Sequence, residues 1–182
     1  MRLLPGTKIE TGILSDGESK RIFDNIFSCG GLMLSQVCNM TGLEAYTVQN
    51  WVKRRYVSGP KGRVYDVDQF SRLVIINMLR QSMPLDSIEK LLSYINGHLD
   101  DSSDDLIKDS ELYHLFVSML IRYENVQDLS KVRMIAEQLT QDYNEPVPGA
   151  KKRLCKVLGI MMHSYYSAEL IRCAEMLMCE LD

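Results

Sequence analysis

The sequence predicts a mainly α-helical protein in which two short helices, a tight turn and a small β-hairpin come first and a bundle of longer helices follows. Three observations carry that reading. Apolar residues recur at helical spacing through most of the chain. Gly and Pro interrupt them at Gly42, Pro60, Gly97 and Pro148. The one short β-prone region, Tyr56 to Tyr65, lies between helical segments.

The elements follow in order. Ile22, Phe23, Ile26 and Phe27 form one apolar face of a helix over residues 18–28, within an N-terminal arm spanning 1–30. A short helix from Ser35 to Thr41 turns Val37 inward and stops at Gly42, where a residue without Cβ can take the left-handed turn. A second runs from Ala45 to about Arg54. Tyr56-Val57-Ser58 and Arg63-Val64-Tyr65 read as two strands around the turn-rich tip Gly59-Pro60-Lys61-Gly62, which makes a hairpin wing. A helix from Val67 to Gln81, with Asp66 or Asp68 as N-cap, is apolar on two sides and needs a partner against each. Pro84 opens the next helix, which Asn96-Gly97 ends. The first domain therefore spans 31–97, and its helix, Gly-containing turn, helix and wing make a winged helix-turn-helix.

Residues 98–109, with Asp100, Asp101, Asp104, Asp105 and Asp109, read as an acidic linker whose aspartates can cap the following helix. A helical domain over 110–182 follows, with helices near 110–124, 130–143 and 150–180. The last is apolar over more than half its circumference, which suits the centre of a bundle or a dimer interface.

Charge is unevenly placed. The chain carries a net −3, yet residues 34–83 carry +4 and residues 84–145 carry −8. A phosphate backbone responds to the local basic face, so the overall sign does not exclude nucleic acid. On the helix from Ala45, a 100° rotation per residue puts Ala45, Val48, Trp51 and Val52 on one side and Tyr46, Gln49, Asn50 and Lys53 on the other. Gln and Asn match the adenine edge in the major groove, and Lys and Arg match guanine or phosphate. Tyr46, Gln49, Asn50, Lys53, Arg54, Lys61 and Arg63 are therefore the candidate contacts to double-stranded DNA, with the wing pair on the backbone.

The run Leu34 to Leu43, then Thr47-Val48-Gln49-Asn50-Trp51, Pro60, Arg63, Tyr65 and the Leu-rich helix after Pro84, resembles the DNA-binding domain of the MerR family. Gln49 to Arg54, Ile75 to Arg80, Leu92 to Gly97 and Asp109 to Tyr113 resemble a bacterial family catalogued as a domain of unknown function. The resemblance implies a MerR-like winged helix-turn-helix and a role in transcription regulation. The sequence departs from MerR where Gly97 and the acidic linker replace the long dimerising helix. A homodimer is still expected, with the helix from Ala150 as the substitute element.

Other chemistry finds little support. No G-x-S-x-G, Walker or dinucleotide motif occurs, so no enzyme and no cofactor are expected. Cys29, Cys38, Cys155, Cys173 and Cys179 read as reduced, buried core thiols, and no metal site is expected. Tyr113, Phe116, Tyr123, Met161, Met162, Tyr165 and Tyr166 read as core or as the lining of an effector pocket, which leaves room for a small-molecule or protein effector. No stretch suits a membrane span or a secretory leader, so a cytoplasmic protein without membrane contact is expected. The competing reading of the whole is a protein-interaction module that uses the winged helix and an oligomerising bundle.

Overall fold

The structure is a computed structural model describing residues 2–12, 14–99, 101, 103–124 and 128–181. Asp100 of the acidic segment lies outside the described residues. The N-terminal arm opens with a two-stranded antiparallel sheet, β1 (Arg2–Leu3) and β2 (Glu10–Thr11), in the register Arg2↔Thr11. It continues into α1 (Glu18–Ile26), whose Phe23 is fully buried, stacked on Tyr113 and edge-on to Phe70.

β3 (Leu32–Met33) leads into α2 (Leu34–Thr41), which Gly42 ends at φ 74°. α3 (Ala45–Lys53) follows after a short turn. Beyond α3 the structure departs from the predicted hairpin. β4 (Val64–Tyr65) pairs with β3 in the register Leu32↔Tyr65, and residues 56–58 form no strand. The reason is that their carbonyls are taken by side chains. Arg72 Nε donates to the Tyr56 carbonyl at 2.7 Å, and Gln69 Nε2 donates to the Ser58 carbonyl at 3.4 Å and to that of the adjoining Gly59 at 2.7 Å. Tyr56 and Val57 are buried as loop residues instead. The tight turn lies at Lys61–Val64, where Gly62 (φ 59°) and Arg63 (φ 70°) are both left-handed and the Val64 N–H donates to the Lys61 carbonyl at 3.2 Å. Two successive positive φ values are the type I′ geometry that matches strand twist.

α4 (Val67–Leu79) begins at Asp66, which accepts from the Gln69 N–H while the Gln69 side chain accepts from the Asp66 N–H, each at 2.9 Å. As its two-sided apolar pattern requires, α4 is buried almost throughout. It packs against α2, α5 (Leu85–Asn96), α6 (Asp109–Glu124) and α8 (Ala150–Met178), most extensively against α6. A short 3-10 turn at Leu129–Lys131 and α7 (Val132–Leu139) complete the fold, α7 ending earlier than its periodicity predicts. The buried apolar residues form one continuous cluster from Leu4 to Met162.

The acidic segment is more than a solvated connection. Leu106 and Ile107 are buried, and Asp109 is enclosed against Arg72 at 3.2 Å and Asn96 Nδ2 at 3.0 Å. Burial raises the Asp109 pKa, and Arg72 opposes that rise. Asp68 of α4 accepts from both the backbone N–H (3.0 Å) and the hydroxyl (2.6 Å) of Ser110, so α4 caps the start of α6.

One further expectation is corrected. Cys29, Cys173 and Cys179 are exposed and Cys38 and Cys155 half-buried, so the thiols are reduced but are not core residues. Cys173 lies on the part of α8 that has left the bundle, and Cys179 caps its end. Of the two readings open for the aromatic and methionine set, the core one agrees with the structure: Tyr113, Phe116, Tyr123, Met161 and Met162 are buried in the core, with Tyr165 and Tyr166 packed against it.

Candidate nucleic-acid interface

α3 owes its position to its inner face. Val48 is fully buried and Trp51 nearly so, packing the helix against α2, while Arg80 of the C-cap of α4 stands over the Trp51 ring at 5.6 Å. The outer face is then necessarily presented to solvent. Tyr46 is 77% exposed, Gln49 and Lys53 are exposed, and Asn50 is half-buried at the edge. Ala45, assigned by rotation to the inner face, is exposed as well.

The helix ends abruptly. Arg55 adopts φ 61° and the Tyr56 N–H reaches back to the Trp51 carbonyl at 2.9 Å, an ending usually given to Gly or Asn. This turn sends the chain back along α3, so that Gly59 comes close to Val52: a Cβ at Gly59 would lie 3.7 Å from Val52 Cγ1. Lys61 and Arg63 follow on the I′ turn, both exposed. Six of the candidate contacts thus sit on α3 and on the loop that folds back beside it.

Arg54 differs from the rest. Its guanidinium lies 4.8 Å from the Tyr56 ring centroid and 3.8 Å from Asp86 Oδ1, and the Tyr56 hydroxyl donates to the same oxygen at 2.5 Å. That hydrogen bond is the main reason the Tyr56 pKa is raised. Arg54 is therefore tied to the start of α5 and borders a cleft of about 1040 Å³ that Arg55, Tyr56, Asp86, Glu89 and His98 also line.

Reading along the sequence missed Arg80, Asp86 and Gln69. Arg80 extends the cationic surface past Trp51, Asp86 fixes Arg54, and Gln69 holds the wing loop by its carbonyls. Only Gln69 carried a local signal, since Asp-x-x-Gln is the spacing of a capping box. Among the described residues no group of three or more His, Cys, Asp or Glu is placed to hold a metal ion, and no helix is long and apolar enough to cross a membrane.

The chain is similar to the protein titled Uncharacterized protein YkrK of Bacillus subtilis (strain 168), at 28% identity over 116 residues, 59% of this chain and 50% of the relative. It thus spans about half the length of that relative. No solved structure matches it. A family model matches residues 23–116, from the buried Phe23 of α1 to the buried Phe116 of α6. That match takes in the whole of the candidate interface and more than half of the chain, and the protein belongs to the family described as Domain of unknown function (DUF1836).

Proposed function

We propose that the protein is a sequence-specific DNA-binding transcriptional regulator of MerR-like winged helix-turn-helix type, acting as a homodimer. α3 enters the major groove and the loop over residues 56–65 rests on the phosphate backbone. The observation that carries this reading is the division of α3 itself. Val48 and Trp51 anchor one face while Tyr46, Gln49, Asn50 and Lys53 stand together on the other, with the Lys61–Arg63 turn folded back beside them.

Gln49 and Asn50 supply paired donor and acceptor groups for base edges. Lys53, Lys61 and Arg63 supply charge for phosphates, which fixes register without selecting sequence. Arg54 shares its charge with Asp86 across an exposed pair, which is weak enough for a phosphate to displace, so it joins the contact from the α3 end. Two copies would set two α3 helices on half-sites about one helical turn, or a multiple of it, apart.

A gel shift on the DNA upstream of the chain's own gene, repeated across a salt series, tests the proposal. Binding is expected to weaken steeply with salt through counterion release, and K53A/R63A, which removes two phosphate contacts from each of the two copies, is expected to lose about 3.6 units of the log–log salt slope together with most of the affinity. Undiminished binding by that variant would remove α3 and the loop from the interface.

A further inference from the structure

α8 changes character along its length. From Ala150 to Ala168 it packs against α4, α5, α6 and α7, and Ala168, 6% exposed, is the last buried residue. Every residue from Leu170 to Leu181 is exposed. A solvated helix end would be polar all round, yet here Leu170 is 70%, Ile171 49%, Leu177 63%, Met178 64% and Leu181 76% exposed.

These residues share a stripe. At 100° per residue Leu170, Ala174 and Leu177 align, with Ile171 and Met178 along one flank, and Leu181 follows the helix in a tight last turn. Arg172, Glu175, Met176 and Cys179 face away. The spacing of four, three and four is that of a coiled-coil seam. Together the five large side chains leave about 600 Å² of apolar surface, the upper end of what a soluble monomer exposes in one patch. Doubled across a symmetric pair, that becomes about 1,200 Å², within the range of specific interfaces.

We infer that this face is covered by the same face of a second copy of the chain, with the two α8 ends running antiparallel about a two-fold axis between Glu175 and Met176. In that register Leu170 meets Leu181 of the second copy and Ala174 meets Leu177 of the second copy, so each central layer sets a small side chain against a large one. A parallel pair would stack alanine on alanine and leucine on leucine, giving one thin layer and one thick one. The antiparallel register also uses the whole free segment. It opposes the helix dipoles and keeps the two Glu180 side chains apart from each other.

Charge disfavours a lipid surface as the occupant. Interfacial helices carry Lys and Arg on their polar face, whereas the sole cation of this segment, Arg172, is bonded to Glu169 at 2.6 Å. The pairing serves the homodimer proposed above, but it rests on the exposed face alone and stands whether or not α3 binds DNA.

Light scattering of the full chain in DNA-free buffer tests it. The wild type is expected at the mass of two chains, and L170E/L177E at the mass of one with an unchanged circular dichroism spectrum, since both leucines are exposed within a single copy. The register has its own readout. In a C29S/C173S/C179S background, oxidising a mixture of A174C and L177C chains is expected to yield more disulfide-linked dimer than either alone. A single-chain mass for the wild type, a two-chain mass for L170E/L177E, or preferential self-linking of A174C would overturn the inference, as would pelleting of the wild type, but not of L170E/L177E, with phosphatidylcholine vesicles while it remains a single chain.

Discussion

Arg72 shows how much of this molecule depends on one side chain. It is 4% exposed, donates Nε to the Tyr56 carbonyl and pairs through its Nη1 with Asp109, so it ties the wing loop, α4 and α6 together. Removing one partner of a buried pair strands the other charge, which costs about 3–5 kcal/mol. R72M is therefore expected to lose about that much in urea unfolding, and R72M/D109L to recover a good part of it. Two buried titratable groups act in opposite senses. Burial against Phe23 and Tyr113 pulls the His114 pKa from 6.5 to about 4. Between those values the unfolded chain takes up the proton and the folded chain does not, so stability falls as pH drops below about 6.5. Asp105, desolvated and beside Asp109 and Asp104, is pushed up from 3.8 to about 6, so the folded chain is the one protonated in that interval and stability is lost as pH rises through it. D105N is expected to gain about 1 kcal/mol at pH 7, allowing for solvent screening, and nothing below about pH 4. Unfolding midpoints of D105N and H114Q across pH separate the two.

At the scale of elements, Gln69 couples a helix to a loop. Its side chain completes the α4 cap and reaches the Ser58 hydroxyl and the Gly59 carbonyl, so Q69A removes a reciprocal cap and frees the loop that carries Lys61 and Arg63. A loss of about 1–2 kcal/mol is expected. Limited trypsin digestion should then cut after Lys61 or Arg63 sooner than in the wild type. The same residue explains a misreading. Tyr56-Val57-Ser58 has the composition of a strand, and local pattern cannot show that Arg72 and Gln69, more than ten residues on, take up its carbonyls. Likewise no glycine after Arg54 announced the left-handed turn at Arg55, whereas Gly42 and Gly97 marked their helix ends plainly. The outward face of α3 was legible because a 100° rotation separates Val48 and Trp51 from Gln49 and Lys53. Its neighbours Arg80 and Asp86 were not, since they reach it through tertiary folding alone. For α8 the periodicity showed an apolar helix but not where its bundle contacts stop.

For the whole molecule, α4 sets the terms. Its ten buried residues include Ile75, Ile76 and Leu79, and it is covered by elements from both ends of the chain. A fragment of residues 1–97 leaves the α6 and α8 sides of α4 open to water. Such a fragment is expected to lack near-ultraviolet dichroism, while the full chain unfolds in a single transition by heat and by urea. Two transitions with separate midpoints would contradict that.

The enclosure of α4 also has a kinetic face. An amide at its centre meets solvent only when α2, α5, α6 and α8 all let go, so its proton should exchange with deuterium at the rate set by complete unfolding. Amides of the α8 end beyond Leu170 should exchange through local fraying in a single copy, and should slow with rising protein concentration as two copies meet. Hydrogen exchange read at these two places would give, in one experiment, the depth of the fold and the strength of its self-association.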